Sequence, residues 1–474
     1  MKKVLLVNTN TEKSPYPVPP LGLCLLSAML EKKYEVKIFD GVFNEGMGLV
    51  RLVLDFQPDF IGFSIRNIDD VVIDRPVFYV DEILEKFIFP VKAIARVPMI
   101  LGGSGFSIFP EELMRLTGVQ YGILGEAEKS FPDLLDALVN GTDVTHIPNI
   151  VVQGRKHLQT GFAFPEFKPF SLHSELDQRL DFNPYRPRGV YSVQTKRGCS
   201  HGCIYCTYPL IEGKHYRLRD PEDIADEIEQ AYRRIGNIMF EFVDSTFNDP
   251  VGHAEEICRA IIRRKIKVRL RTMGINPRHC SDELFALMIK AGFVQIDATP
   301  DSASPQILKN LRKGFALREV EKMARLILKH HLPTMWFFLF GGPGEDVSTF
   351  KETLDFIDAY VSPDDMVYMT AGLRVYPNTP LHKIAIREGM IHKEQSIFRD
   401  PFYYFSEKLP KFQLDQMILE ATLQRHHCIP ARETTPPVGM VKEALSLREK
   451  EHLDEPMFRT LIRIRKAWKE AGKV

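Results

Sequence analysis

Arg197-Gly198-Cys199-Ser200-His201-Gly202-Cys203-Ile204-Tyr205-Cys206 places three thiols within eight residues, at the spacing C-x3-C-x2-C. The segment directly follows a predicted strand, Tyr191–Thr195. A loop this compact wraps three corners of a cubane cluster, and thiolates are the usual ligands of such iron. The fourth iron then receives no cysteine from the loop and is free for an exchangeable ligand. Gly198 and Gly202 are expected to bend the loop where a Cβ would clash. Zinc is the rival reading. It takes four ligands, and the loop offers three plus His201, so Cys258, Cys280, His279 or Cys428 would have to reach in from afar. Three incidental buried cysteines are the remaining alternative. The chain has seven cysteines. An odd count with one tight cluster is not a disulfide framework, and in a reducing compartment it reads as metal-binding.

Downstream of the loop, apolar strand-length runs alternate with helical stretches. Tyr191–Thr195, Met239–Val243, Val268–Arg271, Val294–Ala298, Met335–Phe340 and Met366–Leu373 are predicted strands. Helices are expected over Pro221–Arg234, Ala254–Lys265, Asp282–Lys290, Arg318–His330 and Ser348–Tyr360. Six such units indicate a partial (β/α)6 barrel with its catalytic groups at the strand C-termini. Trp336, Phe337 and Phe338 read as core. After residue 400 the pattern is helical, with Leu414–Arg425, Val441–Lys450 and Met457–Ala471 as the expected helices and prolines between the first two. His426-His427-Cys428 reads as a helix end, because adjacent histidines on a helix point apart.

Upstream, Lys3–Asn8, Glu35–Asp40, Phe60–Ile65, Met99–Gly102 and Tyr121–Leu124 are five strand-like runs. Helical stretches lie at Leu21–Lys33, Asp81–Arg96, Pro110–Thr117 and Ser130–Asn140. This alternation indicates a Rossmann-like, doubly wound parallel sheet whose ligands sit beyond the strand C-termini. The chain is therefore divided into residues 1–145, a connector at 146–188 rich in Pro and Phe, the barrel at 189–400, and a helical region at 401–474.

The chain has 474 residues, and its 62 basic residues match its 62 acidic ones. No global charge favours nucleic acid or an anionic membrane. No apolar run approaches the roughly 18 residues that a membrane helix needs. The start, MKKVLLVNTN, has too short an apolar stretch for a signal peptide and reads as a first strand. The expected location is cytoplasmic.

The cysteine loop, with aromatic Tyr205 before the third cysteine, resembles the signature of radical S-adenosylmethionine enzymes. The resemblance runs through residues 186–400. It implies a [4Fe–4S] cluster on Cys199, Cys203 and Cys206. It further implies that S-adenosylmethionine is chelated to the open iron and cleaved reductively, giving a 5′-deoxyadenosyl radical. A reducing electron donor such as flavodoxin or ferredoxin is implied with it. Asp244, in the Asp-x-x-Phe stretch ending at Phe247, stands where relatives contact the methionine amino group. The common Gly-Gly-Glu form is absent there, and Asp-x-x-Phe resembles the variant of cobalamin-linked members. Asp301-Ser302-Ala303-Ser304 resembles the stretch that contacts ribose or methionine. Gly342 and Glu345, in Gly341-Gly342-Pro343-Gly344-Glu345, resemble the adenine-side turn. Tyr216 is a candidate hydrogen donor or proton relay at the barrel mouth, with His215 as an acid or base beside it, and Arg374-Val375-Tyr376 a candidate rim segment.

The first 145 residues resemble the cobalamin-binding domain that precedes many such barrels. The stretches are Pro19-Pro20-Leu21-Gly22, Gly102-Gly103 and Gly125-Glu126-Ala127-Glu128. The resemblance implies that Gly102, Gly103 and Gly105 allow the nucleotide tail a close approach and that Ser64 faces it. The Asp-x-His-x-x-Gly form that supplies an axial histidine is absent: Asp40 is followed by Gly41, Val42 and Phe43. Arg66, Asp69 and Asp70 are charges expected to crowd the corrin. Two activities follow from the resemblance, acting on a small-molecule substrate: cobalamin-dependent methylation of an unactivated carbon, or cobalamin-independent radical dehydration or rearrangement behind a degenerate domain. A non-catalytic iron–sulfur or zinc protein is the third reading.

Overall fold

The computed structural model describes residues 1–74, 76–154, 173–431 and 436–472. The amino-terminal sheet contains β1 (Lys3–Asn8), β2 (Glu35–Asp40), β3 (Phe60–Ser64), β4 (Met99–Gly102), β5 (Tyr121–Ile123) and β6 (Ile150–Val152). Its order is β2-β1-β3-β4-β5-β6, with only the edge strand β6 antiparallel. The five expected strands are present. β6 comes from the stretch expected to be connector, and residues 155–172 of that stretch lie outside the described residues. Strand order reverses between β1 and β3, which opens a ligand crevice at their carboxyl ends. Alternation along β1 explains the two helix layers. Val4 and Leu6 join one apolar core with Leu26 and Leu134, and Leu5 and Val7 join another with Val53 and Phe87.

The second sheet has seven strands. In chain order the further strands are β7 (Tyr191–Val193), β8 (Lys196–Arg197), β9 (Arg217–Leu218), β10 (Met239–Phe242), β11 (Arg269–Ile275), β12 (Phe293–Asp301), β13 (Thr334–Phe340), β14 (Met366–Ala371), β15 (Leu373–Arg374), β16 (Tyr403–Tyr404) and β17 (Cys428–Pro430). The parallel order is β17-β14-β13-β12-β11-β10-β7. β8 with β9, and β15 with β16, form two small antiparallel hairpins. All six expected barrel strands form. The seventh, β17, and the small strand β16 add two short strands to the helical region expected after residue 400. His426 and His427 lie between helix Lys411–Gln424 and β17, so Cys428 begins a strand.

Period-two alternation gives this sheet two different sides. Phe240, Phe242, Leu270, Ile296, Ala298, Trp336 and Phe338 pack outward in one core against the helices. Their neighbours Glu241, Arg271, Gln295, Asp297 and Phe337 therefore point into the lumen. Helix Met457–Glu470 closes the amino-terminal end of the lumen, laying Phe458 and Ile462 on Met335, Met366 and Tyr368. The barrel helices start where polar caps accept orphan amides: Asp220 from Glu222 N, Ser281 from Leu284 N and Asp346 from Thr349 N.

Ion pairs join the domains. Asp69, in the loop after β3, meets Arg374 of β15 at 3.1 Å, with both side chains at most 2% exposed. Glu128 takes Arg197, and Glu126 takes both Arg197 and Arg217. These two arginines form the base of the cysteine loop, so the amino-terminal domain holds that base in place.

Candidate active site

The cysteine loop is the connection of the β8–β9 hairpin. Cys199 N donates to Gly213 O at 3.0 Å, and Ile204 N donates to Leu311 O at 3.2 Å. Gly198 has φ +88°, and a Cβ there would lie 2.1 Å from His215 O, so the glycine is required. Gly202 does not meet the same expectation: a Cβ there would have no atom within 4 Å. Ile204 is buried with the core of the amino-terminal domain. On the other flank His201 Nε2 lies 2.6 Å from Asp249 Oδ2 and 3.0 Å from Asn276 Nδ2.

The donor set fits an iron–sulfur cluster better than zinc. His201 is held by Asp249 and Asn276. Cys280 gives its thiol to Asn276 O, Cys258 is buried in the helix-side core, and Cys428 sits on β17. Among the described residues none of these completes a four-ligand set around the loop. Burial pushes the Cys203 thiol up and carries Cys206 to about 12, so both become thiolates only beside a strong positive charge such as iron. One cation already stands there. Lys313 Nζ lies 2.6 Å from Asp301 Oδ2 and 3.2 Å from the Tyr205 hydroxyl, which itself donates to Asp301. The structure thus joins Tyr205 and Asp301 directly and adds to them a lysine that sequence reasoning missed.

Several other candidate side chains are taken up within the fold. Asp244 is the most fully bonded of them. Its Oδ1 accepts from Thr195 N (2.8 Å), its Oδ2 from Thr195 Oγ1 (2.6 Å), and Lys196 Nζ lies 3.4 Å away, leaving the side chain 0% exposed. It shapes the strand end below the loop. Glu345 folds back to accept from Gly341 N (2.6 Å) and Gly342 N (3.0 Å), closing its own turn, and burial raises its carboxyl to about 7. Ser302 accepts from Ser304 N and meets Thr353, whereas Ser304 Oγ is buried with no partner among the described residues. Tyr216 donates to Asp249 at 3.1 Å, beside His201, which places it behind the cysteine loop.

On the amino-terminal side, a small crevice at the ends of β1 and β3 is lined by Thr9, Asn10, Arg66, Asn67 and Tyr79. Ser64 ends β3, and its carbonyl accepts from Thr9 Oγ1 at 2.8 Å. Gly103 and Gly105 bring the turn after β4 against the β3 loop: a Cβ would lie 2.5 Å from Ile65 O at Gly103 and 2.9 Å from Arg66 O at Gly105. At Gly102 the nearest atom to a Cβ would be 4.0 Å away, so that side is open. The three crowding charges resolve differently. Asp69 is paired with Arg374, and Asp70 accepts from Val72 N and Val77 N. Only Arg66 is exposed at the crevice.

The lumen holds a charged layer that the sequence reading did not assemble. Glu241 Oε2 accepts from the Tyr16 hydroxyl at 2.7 Å and pairs with Arg271, whose guanidinium lies 4.3 Å over the Tyr16 ring. Asp297 lies in the same layer, and burial raises its carboxyl to about 6 against the opposing pull of Arg271. Tyr16 comes from the loop after β1, so the other domain contributes to the barrel interior.

A model of the radical SAM superfamily matches residues 193–357, and a model of the B12 binding domain matches residues 7–135. The chain is 26% identical over 450 residues to tryptophan 2-C-methyltransferase of Streptomyces laurentii, covering 80% of this chain and 74% of that protein. It is 23% identical over 458 residues to cytidylyl-2-hydroxyethylphosphonate methyltransferase of Streptomyces wedmorensis, covering 84% of each. The structure of the radical S-adenosylmethionine methyltransferase TsrM from Kitasatospora setae, with tryptophan and an S-adenosylmethionine analogue bound, superposes with a TM-score of 0.80 at 22% identity over the whole of both chains. Among the described residues no helix is long and apolar enough to cross a membrane.

Proposed function

The chain belongs to the radical S-adenosylmethionine superfamily and carries a B12 binding domain ahead of its barrel, and from that premise we propose that it methylates a carbon atom of a small-molecule substrate. The observation that carries this reading is the meeting of the two cofactor ends. The β1–β3 crevice and the cysteine loop belong to domains that Asp69–Arg374 and Glu126/Glu128–Arg197 hold together through buried pairs. When bound, the cluster supplies an electron to S-adenosylmethionine, and cobalamin carries the methyl group. Cys199, Cys203 and Cys206 would hold the iron. Lys313, fixed by Asp301 and Tyr205, keeps a positive charge beside the sulfurs. The glycine turn at Gly102–Gly105 would give the nucleotide tail of cobalamin a close approach, beside the crevice at Arg66. The loop after β2 offers no histidine to the metal, since Asp40 is followed by Gly41, Val42 and Phe43, and Asp40 itself accepts from Asn8, Val42 and Tyr185.

The curated relatives named above act as methyltransferases, and the seven cysteines stand as free thiols, as a reducing cytoplasm would keep them. The test is anaerobic incubation with S-adenosylmethionine and reductant, using protein purified from a cobalamin-replete host. Stoichiometric corrinoid with S-adenosylhomocysteine as a product supports methyl transfer. Protein that stays free of corrinoid and yields only 5′-deoxyadenosine overturns it in favour of hydrogen abstraction alone.

A further inference from the structure

Resting on that reading, we propose that the charged layer of the barrel lumen is the substrate subsite and that it selects a molecule bearing a protonated amine. Register places the residues in one ring. Ser192 of β7 pairs with Glu241 of β10, Glu241 with Arg271 of β11, and Arg271 with Gln295 of β12. All four stand on the inward side, and Asp297 follows one inward position later.

Two carboxylates share this ring with one guanidinium. Arg271 is bonded to Glu241 and to the Tyr16 hydroxyl. One negative charge is therefore left over in a place shielded from water, where such a charge is costly unless a partner arrives. The hydrogen-bond pattern says what kind of partner. Glu241 Oε1 and Ser192 Oγ are neighbours in register, and both are buried with no partner among the described residues. Among the described residues Asp297 accepts only a long bond, 3.3 Å, from Gln295. Two carboxylates short of donors and of positive charge, beside a hydroxyl that accepts or donates, match an ammonium group, which has three donors and no acceptor. An anionic substrate finds no free cation in the ring. Tyr16 covers Arg271 from the amino-terminal domain, so the subsite is complete only with both domains in place.

Native mass spectrometry of the holoprotein, with saturating S-adenosylmethionine, tests the assignment. The probes are the twenty common amino acids, their decarboxylated amines, and the corresponding carboxylic acids without the amine. Retained compounds are expected to carry the amine. Their affinity is expected to fall at least tenfold in Glu241→Gln and in Asp297→Asn, and by less in Ser192→Ala, which keeps every charge. Equal retention of the compounds without the amine, retention of none, or unchanged affinity in all three variants overturns the proposal. Production of S-adenosylhomocysteine, scored separately, reports on methyl transfer: amine binding without that product keeps the subsite and removes the reaction.

Discussion

In the amino-terminal sheet, Val4, Leu5, Leu6 and Val7 are each 0% exposed, and successive side chains enter two different apolar cores. In the barrel sheet, Phe240 and Phe242 enter an apolar core, while Glu241 between them enters a lumen with Arg271 and Asp297. Both sheets are parallel and both are built by strand–helix alternation. A sheet covered by helices on both faces has no inward side left for charge, so its polar turns lie at the strand ends, at Ser64–Arg66 and Gly102–Gly105. A sheet curled on itself keeps one face for polar groups, and these extend down into the lumen.

The largest expected effect lies at the loop where the two regions meet. Replacing Cys199, Cys203 and Cys206 together with Ala should remove all iron and sulfide from reconstituted protein and abolish cleavage of S-adenosylmethionine. Single replacements of Cys258, Cys280 or Cys428 should leave the iron content intact. Iron analysis of the four variants decides it, and iron lost from any of those three singles would bring that cysteine into the ligand set.

The next effect contrasts the two interiors directly. Leu6→Asp puts a carboxylate between the sheet and one helix layer, in the apolar core of Leu26 and Leu134, a change that costs several kcal/mol. Circular dichroism and corrinoid retention should show the amino-terminal domain unfolded. Glu241→Gln in the lumen keeps a hydrogen-bonding group at a polar site, and the barrel should stay folded. Equal loss in both variants would mean that the lumen is as intolerant as the closed sheet.

What the sequence made legible follows from distance along the chain. The three thiols are adjacent, so the cluster loop could be read at once. Apart from β6 and β17, the strands of both large sheets were legible from their apolar runs, down to β1, β2 and β4 at their observed ends. β17 escaped because Cys428–Pro430 is too short to carry a period. Asp244 and Glu345 were read as reaching for a cofactor because their family positions were visible and their local partners were not. Thr195 and Lys196 bond the Asp244 carboxylate, and the Gly341–Gly342 amides hold one oxygen of Glu345, whose Oε1 is buried with no partner among the described residues. The lumen layer left a trace that was overlooked: Phe240-Glu241-Phe242 and Gln295-Ile296-Asp297-Ala298 alternate charge or amide with apolar residues. Tyr16 left none, because nothing in its loop announces a contact with a strand far along the chain.

A pH titration sharpens the contrast further. Burial raises the Asp297 carboxyl from its ordinary 3.8 to about 6, Arg271 partly opposes this, and Glu241 adds to it. The folded protein therefore binds this proton more tightly than the unfolded chain does. Stability from this group is highest in acid and is lost as pH rises from about 4 to about 6. Asp297→Asn should remove that component. Denaturation midpoints compared between wild type and variant across this window isolate it, because every other carboxylate is common to both. Parallel curves would show that Asp297 is not shielded and that the lumen is wet.

The smallest effects lie within the cysteine loop, at its two glycines. Gly198 has a left-handed backbone, and a Cβ would collide with the His215 carbonyl at 2.1 Å, a contact that no rotamer relieves. Gly198→Ala should cost about 1–3 kcal/mol of local strain and loosen the base of the hairpin. That base is where Arg197 and Arg217 meet the glutamates of the other domain. Gly202 has open space where its Cβ would go, so Gly202→Ala should change stability by no more than about 0.5 kcal/mol. Iron retention during dilution into chelator, measured for both variants, separates a glycine required by backbone geometry from one that is not. If Gly202→Ala loses iron as fast as Gly198→Ala, the space beside Gly202 is occupied in the loaded protein. The cluster or its cosubstrate would then sit against that backbone.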